Sequence, residues 1–123
     1  ITFIAKDILN KDLADLPKQD IIISNPPYVL ESDKQQMSKN VLDFDPHLAL
    51  FVDDSTPLLF YKRITELAKS NLNKGGKLYF EIHEKFGKET EELLKLHGFI
   101  NTKVIRDLQG KNRIVCGELS GLF

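Results

Sequence analysis

An isoleucine triplet at residues 21–23, ended by a pair of prolines, constrains the fold of this chain more than any other feature of its sequence. An unbroken β-branched run is typical of a strand that is buried on both faces, as in a parallel sheet covered by helices. Pro26 and Pro27 stop the strand, because proline lacks the backbone N–H that a sheet ladder needs. The sequence therefore predicts a buried strand with a rigid end just after Asn25.

Strand and helix signals alternate along the rest of the chain. Thr56 and Pro57 are typical of a helix start and are followed by an apolar stripe at helical spacing. Gly75 and Gly76 then predict the end of that helix. We expect strands at residues 1–4, 21–23, 77–82, 99–108 and 113–119, a first helix from residue 57 to the glycine pair, a second helix at 88–97, and loops at 6–19 and 31–45. This order predicts an α/β fold with a mostly parallel sheet that ends in an antiparallel hairpin.

Length, charge and cysteine content describe one ordinary globular domain of 123 residues. Seventeen Lys and Arg against 18 Asp and Glu leave a net charge of −1, so no sequence-wide basic field exists and a nucleic-acid partner is not expected. The single cysteine, Cys116, excludes a disulfide framework and fits the reducing cytoplasm. No apolar run approaches the roughly 20 residues of a membrane span, and His47, His83 and His97 lack metal-ligand spacing. We therefore expect a cytoplasmic domain with no membrane anchor and no metal.

The segment at residues 25–28, Asn-Pro-Pro-Tyr, has two interpretations. In the first it only ends a strand, as Asn-Pro and Pro-Pro do in many proteins. In the second it holds a planar amide or base for methylation at nitrogen. The side-chain carbonyl of Asn25 and the backbone carbonyl of Pro26 would accept the two N–H bonds, and the Tyr28 ring would stack on the plane. The second is the stronger interpretation, because a stiff turn gives the alignment that displacement at a methyl carbon requires.

Four further segments, together with this turn, resemble the HemK/PrmC family of methyltransferases. They are DPHLALF at residues 45–51, YKRI at 61–64, GGKLYFEI at 75–82 and RDLQGKNR at 106–113. The turn alone is shared with adenine-N6 DNA methyltransferases, whereas the first and last of these segments are specific to the family. The resemblance implies a Rossmann-like fold that uses S-adenosyl-L-methionine to methylate the N5 nitrogen of a glutamine in peptide-chain release factors.

The resemblance also implies roles for individual residues by their position. The residues that would bind the substrate glutamine are Asn25, Pro26, Pro27 and Tyr28. Asn25 and Pro26 would be the catalytic pair, with Asn25 also close to the cofactor. Asp7 and Ile8 would line the pocket for the adenine ring.

The resemblance further implies that residues 1–123 correspond to strands three to seven of the fold, the carboxyl-terminal portion of the catalytic domain. The Gly-rich cofactor loop and the N-terminal helical domain of the family are not in this sequence, and His83 stands where the family usually has glycine. The strand at residues 21–23 would then be an exposed edge. We expect the chain to self-associate through that edge, or residues 1–4 to move beside it.

Two alternative functions remain open at this point. In a DNA adenine-N6 methyltransferase the same turn would hold a flipped base, although the balanced charge and the lack of a DNA-reading insertion oppose this. The other alternative is a catalytically inactive fragment, which keeps substrate contacts and has no usable cofactor site.

Overall fold

The computed structural model describes residues 1–27, 29–30, 51–52 and 56–121. The strands in these ranges are β1 (Gln19–Ser24), β2 (Val29–Leu30), β3 (Phe51–Val52), β4 (Leu72–Glu81), β5 (Phe99–Arg106) and β6 (Asn112–Leu119). The helices are α1 (Leu59–Asn71) and α2 (Gly87–Leu96), with a short 3₁₀ helix at Glu84–Phe86 between β4 and α2. The predicted loop at 31–45 lies outside the described residues.

Four of the strands form one mixed sheet in the order β1-β4-β6-β5. β1 is parallel to β4, whereas β6 is antiparallel to both of its neighbours. Three strands therefore run in the same direction and β6 runs against them. This arrangement confirms the predicted α/β fold, with its mostly parallel sheet and antiparallel carboxyl-terminal hairpin. β2 and β3 pair with each other in parallel as a separate two-stranded sheet.

α1 forms where the apolar stripe predicts a helix. The buried residues that recur at three- and four-residue spacing along it are Tyr61, Ile64, Leu67 and Ala68. The ring of Tyr61 packs edge-on against Phe80 of β4, with the ring centroids 4.9 Å apart. Leu94 of α2 joins the same core cluster, so both helices contribute to one hydrophobic core over the sheet. Burial of this stripe, more than helix propensity, stabilises α1.

Both ends of α1 differ from the prediction. Its first residue is Leu59, whose N–H donates to the carbonyl of Thr56 at 3.2 Å, so a backbone turn and no side-chain cap precedes the helix. At the other end the chain passes directly into β4, because Leu72 has extended backbone and a side chain buried in the core. Gly75 and Gly76 consequently lie inside β4 and do not end the helix.

The exposed edge of the sheet also corrects the prediction. Residues 1–4 form no strand, and among the described strands β1 pairs with β4 alone. Ile21 is 55% exposed and Ile23 is 77% exposed, so the isoleucine run is not buried on both faces. Because successive side chains of a strand point to opposite faces, Ile22 packs against the core, whereas Ile21 and Ile23 lie on the other face and stay exposed. The expected move of residues 1–4 into the position beside β1 does not occur.

The turn between β5 and β6 closes the predicted hairpin. The Asp107 N–H donates to the carbonyl of Lys111 at 2.8 Å, and the Gly110 N–H donates to the carbonyl of Asp107 at 3.0 Å. Gly110 has φ of +83°, a left-handed backbone that glycine adopts without steric cost. With 13 residues in α1 and 10 in α2, no helix in the described ranges is long and apolar enough to cross a membrane.

Candidate functional site

The Asn-Pro-Pro segment lies directly at the carboxyl end of β1. The last strand residue, Ser24, pairs with Phe80 of β4, and the chain leaves the sheet at the next residue. Asn25 is exposed, Pro26 is buried and Pro27 is half-buried. The structure therefore places a reachable amide side chain on a turn whose following residue is fixed by packing. Tyr28 lies outside the described residues.

A cavity of about 320 Å³ opens beside this turn. The residues that line it are Ile23, Ser24, Asn25, Tyr79, Phe80, Glu81, Arg113 and Ile114. They come from the carboxyl ends of β1 and β4 and from the start of β6, which meets those ends because it runs antiparallel. Ligand sites of open α/β sheets lie at the carboxyl ends of parallel strands. The position of the cavity therefore agrees with that of a ligand site.

A hydrogen bond from α1 anchors the carboxyl end of β4. The buried hydroxyl of Tyr61 donates to the backbone carbonyl of Glu81 at 2.6 Å. The backbone N–H of Ile82 donates to the carbonyl of Arg113 at 3.0 Å, which ties β4 to β6 one residue further on. These two bonds fix the backbone on which Glu81 and Arg113 stand. The cavity wall is thus rigid at the level of the main chain.

His83 begins the 3₁₀ helix that follows β4. Its Nδ1 accepts a hydrogen bond from the backbone N–H of Lys85 at 3.1 Å, and its ring packs edge-on against Phe86 at 5.5 Å between centroids. His83 therefore acts here as a helix cap. This structural role gives a physical account of a residue to which the sequence assigned none.

Arg113 was not predicted as a site residue, yet it lines the cavity together with Asn25. Its Nη2 donates to Oδ2 of Asp107 at 3.2 Å. Oδ1 of the same carboxylate accepts the backbone N–H groups of Gln109 and Lys111. The Lys111 N–H, with the Arg113 guanidinium and the Gln109 N–H, holds the pKa of Asp107 below its ordinary value of 3.8. The sequence signal that marked this pair was the resemblance of the segment at residues 106–113 to the family.

The two predicted contacts of the adenine ring stand on a turn that α1 holds in place. Asp7 is exposed, and its carboxylate accepts from the Leu9 N–H at 3.1 Å and from the Asn10 side chain at 2.7 Å. Ile8 is half-buried against the core, and its carbonyl accepts from Nε of Arg63 at 2.7 Å. Neither Asp7 nor Ile8 lines the cavity beside Asn25. The turn at Asp7 and Ile8 is therefore held by α1, but it lies outside the cavity that Asn25 lines.

A comparison with solved structures gives the fold class of the described chain. A methyltransferase from Pyrococcus furiosus superposes on 85% of this chain and 43% of its own, with a TM-score of 0.54 and 18% identity. Together with the sheet order and the position of the cavity, this likeness shows that the described chain has the α/β fold of a methyltransferase. No family model matches the sequence.

The sequence comparison is more specific. A release factor glutamine methyltransferase of Flavobacterium psychrophilum is 53% identical over 116 residues, which are 94% of this chain and 40% of that protein. The corresponding protein of Bacteroides thetaiotaomicron is 45% identical over 115 residues, 94% of this chain and 41% of its own length. The chain is therefore a homologue of part of the release factor glutamine methyltransferases, and it spans about 40% of the length of these relatives.

Proposed function

We propose that this chain forms the substrate-binding side of an enzyme that transfers a methyl group from S-adenosyl-L-methionine to the N5 nitrogen of a glutamine in a peptide-chain release factor. The observation that carries the proposal is the 53% identity to a release factor glutamine methyltransferase over 94% of this chain. The placement of Asn25 in the wall of the cavity, next to the buried Pro26 in the chain, supports it. The proposal concerns the full-length protein that carries this sequence.

The proposed work of the turn is to hold and orient a side-chain amide. An amide nitrogen is a weak nucleophile, because its lone pair is delocalised into the carbonyl. The side-chain oxygen of Asn25 and the backbone carbonyl of Pro26 would accept its two N–H bonds and turn the nitrogen toward the methyl donor. Because Pro26 is buried, the backbone of the turn is held in place before the substrate binds. Stacking of the amide on Tyr28 stays a prediction.

The proposed binding of the methyl donor involves the turn at Asp7 and Ile8. Ile8 offers a half-buried apolar side chain whose backbone is anchored by Arg63, and this fits one edge of a pocket for a flat ring. The Asp7 carboxylate is exposed, and each of its oxygens has a further lone pair beyond the bonds to Leu9 and Asn10. Bound S-adenosyl-L-methionine would supply an electrophilic methyl group. Asp7, Ile8 and Asn25 are the residues we propose to hold it.

The proposed acceleration comes from alignment and exclusion of water. No strong general base is needed, because alkylation makes the amide nitrogen far more acidic and its proton can leave to a backbone carbonyl or to water. The prediction that residues 1–123 form the carboxyl-terminal portion of the catalytic domain, with the Gly-rich loop elsewhere, stays a prediction. The relatives described above are named for glutamine methylation, which favours a protein substrate over adenine in DNA.

A competition assay tests the proposal. The full-length protein is given S-adenosyl-L-methionine with a labelled methyl group, a release factor, and duplex DNA that contains adenine. We expect label in the release factor alone, and no label in a control release factor whose target glutamine is replaced by glutamate. Label in the DNA, or equal label in the control protein, would overturn the proposed substrate.

A further inference from the structure

The turn that carries Asp7 and Ile8 is closed by its own main chain and by the Asp7 side chain. The Asp7 carbonyl accepts the N–H groups of Asn10 at 3.1 Å and Lys11 at 2.8 Å. The Asp7 carboxylate accepts the N–H of Leu9 and the side-chain amide of Asn10. These bonds all lie within the turn, so they set its shape but not its position against the rest of the fold.

A side chain of α1, Arg63, holds the turn against the helix. Its Nε donates to the carbonyl of Ile8 at 2.7 Å, and its Nη2 donates to the carbonyl of Lys11 at 2.9 Å. The two carbonyls lie three residues apart, and one planar guanidinium reaches both of them. The first of these bonds is partly buried, and a charged donor makes both bonds stronger than those between neutral groups. Arg63 therefore fixes the main chain of the turn at two points.

α1 is a rigid support for this contact. Tyr61 and Ile64, which flank Arg63 along the helix, are buried in the core. The Tyr61 hydroxyl also donates to the backbone carbonyl of Glu81, a residue that lines the cavity together with Asn25. One helix thus contacts both the turn proposed for the methyl donor and the sheet edge proposed for the amide. It consequently fixes the position of the turn relative to that edge.

Arg63 also forms an ion pair within α1. Its Nη1 lies 3.7 Å from Oε2 of Glu66, one helical turn further on, and both side chains are partly exposed. Ion pairs of this kind contribute little to stability. The pair uses a different nitrogen from the two that hold the carbonyls of the turn. The contact with Glu66 can therefore be removed while the contact with the turn is kept.

We propose that Arg63 is a positioning residue for the methyl donor, because it holds the main chain of Ile8 and Lys11 in the conformation that binds the adenine end of the donor. The inference rests on the proposed function, which assigns Asp7 and Ile8 to the adenine ring. Arg63 acts through the turn and contacts neither the donor nor the glutamine. A turn that is ordered before binding loses less conformational entropy when the ligand arrives. Arg63 therefore raises the affinity for the donor and leaves the chemical step unchanged.

Calorimetric titration of the full-length protein with S-adenosyl-L-methionine tests this role. Arg63→Met removes the donors and keeps the apolar stem, so we expect Kd to rise about tenfold or more. In steady-state kinetics KM for S-adenosyl-L-methionine should rise equally, with kcat at saturating donor and KM for the release factor within about threefold of the wild type. A fall in kcat with no change in KM for the donor, as general damage to the fold would cause, would overturn the inference.

The matched control is Glu66→Gln, which removes the ion pair and keeps Arg63. Its Kd for S-adenosyl-L-methionine should equal that of the wild type. An unchanged Kd in Arg63→Met, or an equal rise in Glu66→Gln, would overturn the inference.

A further variant keeps the test decisive if Arg63→Met does not fold. Arg63→Lys retains the charge and loses the planar fork that spans two carbonyls, so Kd should again exceed that of the wild type. A wild-type Kd in Arg63→Lys would contradict the role.

The wild-type protein separates the two proposals. If it binds no S-adenosyl-L-methionine, the proposed function and this inference both fail. If it binds the donor through Arg63 but does not methylate the release factor, the proposed substrate alone fails. If it methylates the release factor and both Arg63 variants bind the donor as tightly as the wild type, the inference alone fails.

Discussion

Asn25 has an exposed side chain and precedes the buried Pro26. A substitution of the Asn25 side chain should therefore affect function and leave folding unchanged. Asn25→Ala removes one of the two proposed acceptors and buries or exposes almost nothing else. We expect turnover on a release factor to fall about 100-fold or more, the scale of losing a positioning contact at the reacting group. The melting temperature should stay within the range of neutral surface substitutions. Near-normal turnover of the variant would remove Asn25 from the mechanism.

Asp107 gives a prediction about pH. Its pKa is held below 3.8 in the folded protein, so its ionised form stabilises the hairpin above that value, and this contribution is lost as the pH falls through the folded pKa. Asp107→Asn lacks the contribution at every pH. Thermal unfolding should therefore show the variant less stable than the wild type at neutral pH, with a difference that closes at acid pH.

The control for this pH series is Glu92→Gln, which changes an exposed carboxylate of α2 that is far from the turn in sequence. Its difference from the wild type should lack the same closing trend. A difference between Asp107→Asn and the wild type that stays constant across the acid range would contradict the role of the ionised carboxylate.

At the scale of elements, sequence patterns predicted those features that local periodicity determines. The stripe of α1 and the hairpin of β5 and β6 are both present. The predicted strand at residues 1–4 is absent because a strand exists only beside a neighbour, and no local pattern reveals whether one is available. Gly75 and Gly76 predict a helix end, but burial of Leu72 decides where the helix stops.

The candidate site was predictable to a similar extent. The position of Asn25 at the end of a strand follows from the prolines and is confirmed, while the roles of Asn25 and Pro26 stay predictions. Arg113 was missed as a site residue because the register of β4 with β6, a long-range contact, brings it to the cavity. Neither the pairing of Asp107 with Arg113 nor the position of Arg113 beside the cavity was predicted from the sequence.

The free edge of β1 predicts self-association of the 123-residue chain studied alone. In the described ranges β1 pairs on one side only, and Ile23 is 77% exposed beside that edge. We expect light scattering after gel filtration to show dimers or larger species that Ile23→Lys reduces, since a charge on an edge strand opposes pairing with a second copy. The control is Leu96→Lys, which removes a leucine that is 83% exposed on α2 and should leave the association unchanged. A wild-type chain that stays monomeric at high concentration would contradict the prediction.

At the scale of the whole molecule, the sheet order gathers the site from distant parts of the chain. β1 and β4 end at the same edge of the sheet because they are parallel, and β6 begins there because it is antiparallel. Asn25, Glu81 and Arg113 meet around one cavity for this reason. α1 contacts the same edge of the sheet through Tyr61, whose hydroxyl donates to the backbone carbonyl of Glu81. The proposed activity therefore depends on the sheet as a unit and on no single segment.

The most direct test of the account is the location of the transferred methyl group. A release factor is incubated with the full-length protein and S-adenosyl-L-methionine, digested, and analysed by fragment mass spectrometry. The account predicts one methyl group on the side-chain nitrogen of one glutamine, and its loss when the enzyme carries Asn25→Ala. A methyl group on another type of residue, or an unmodified release factor beside methylated adenine in DNA, would contradict it.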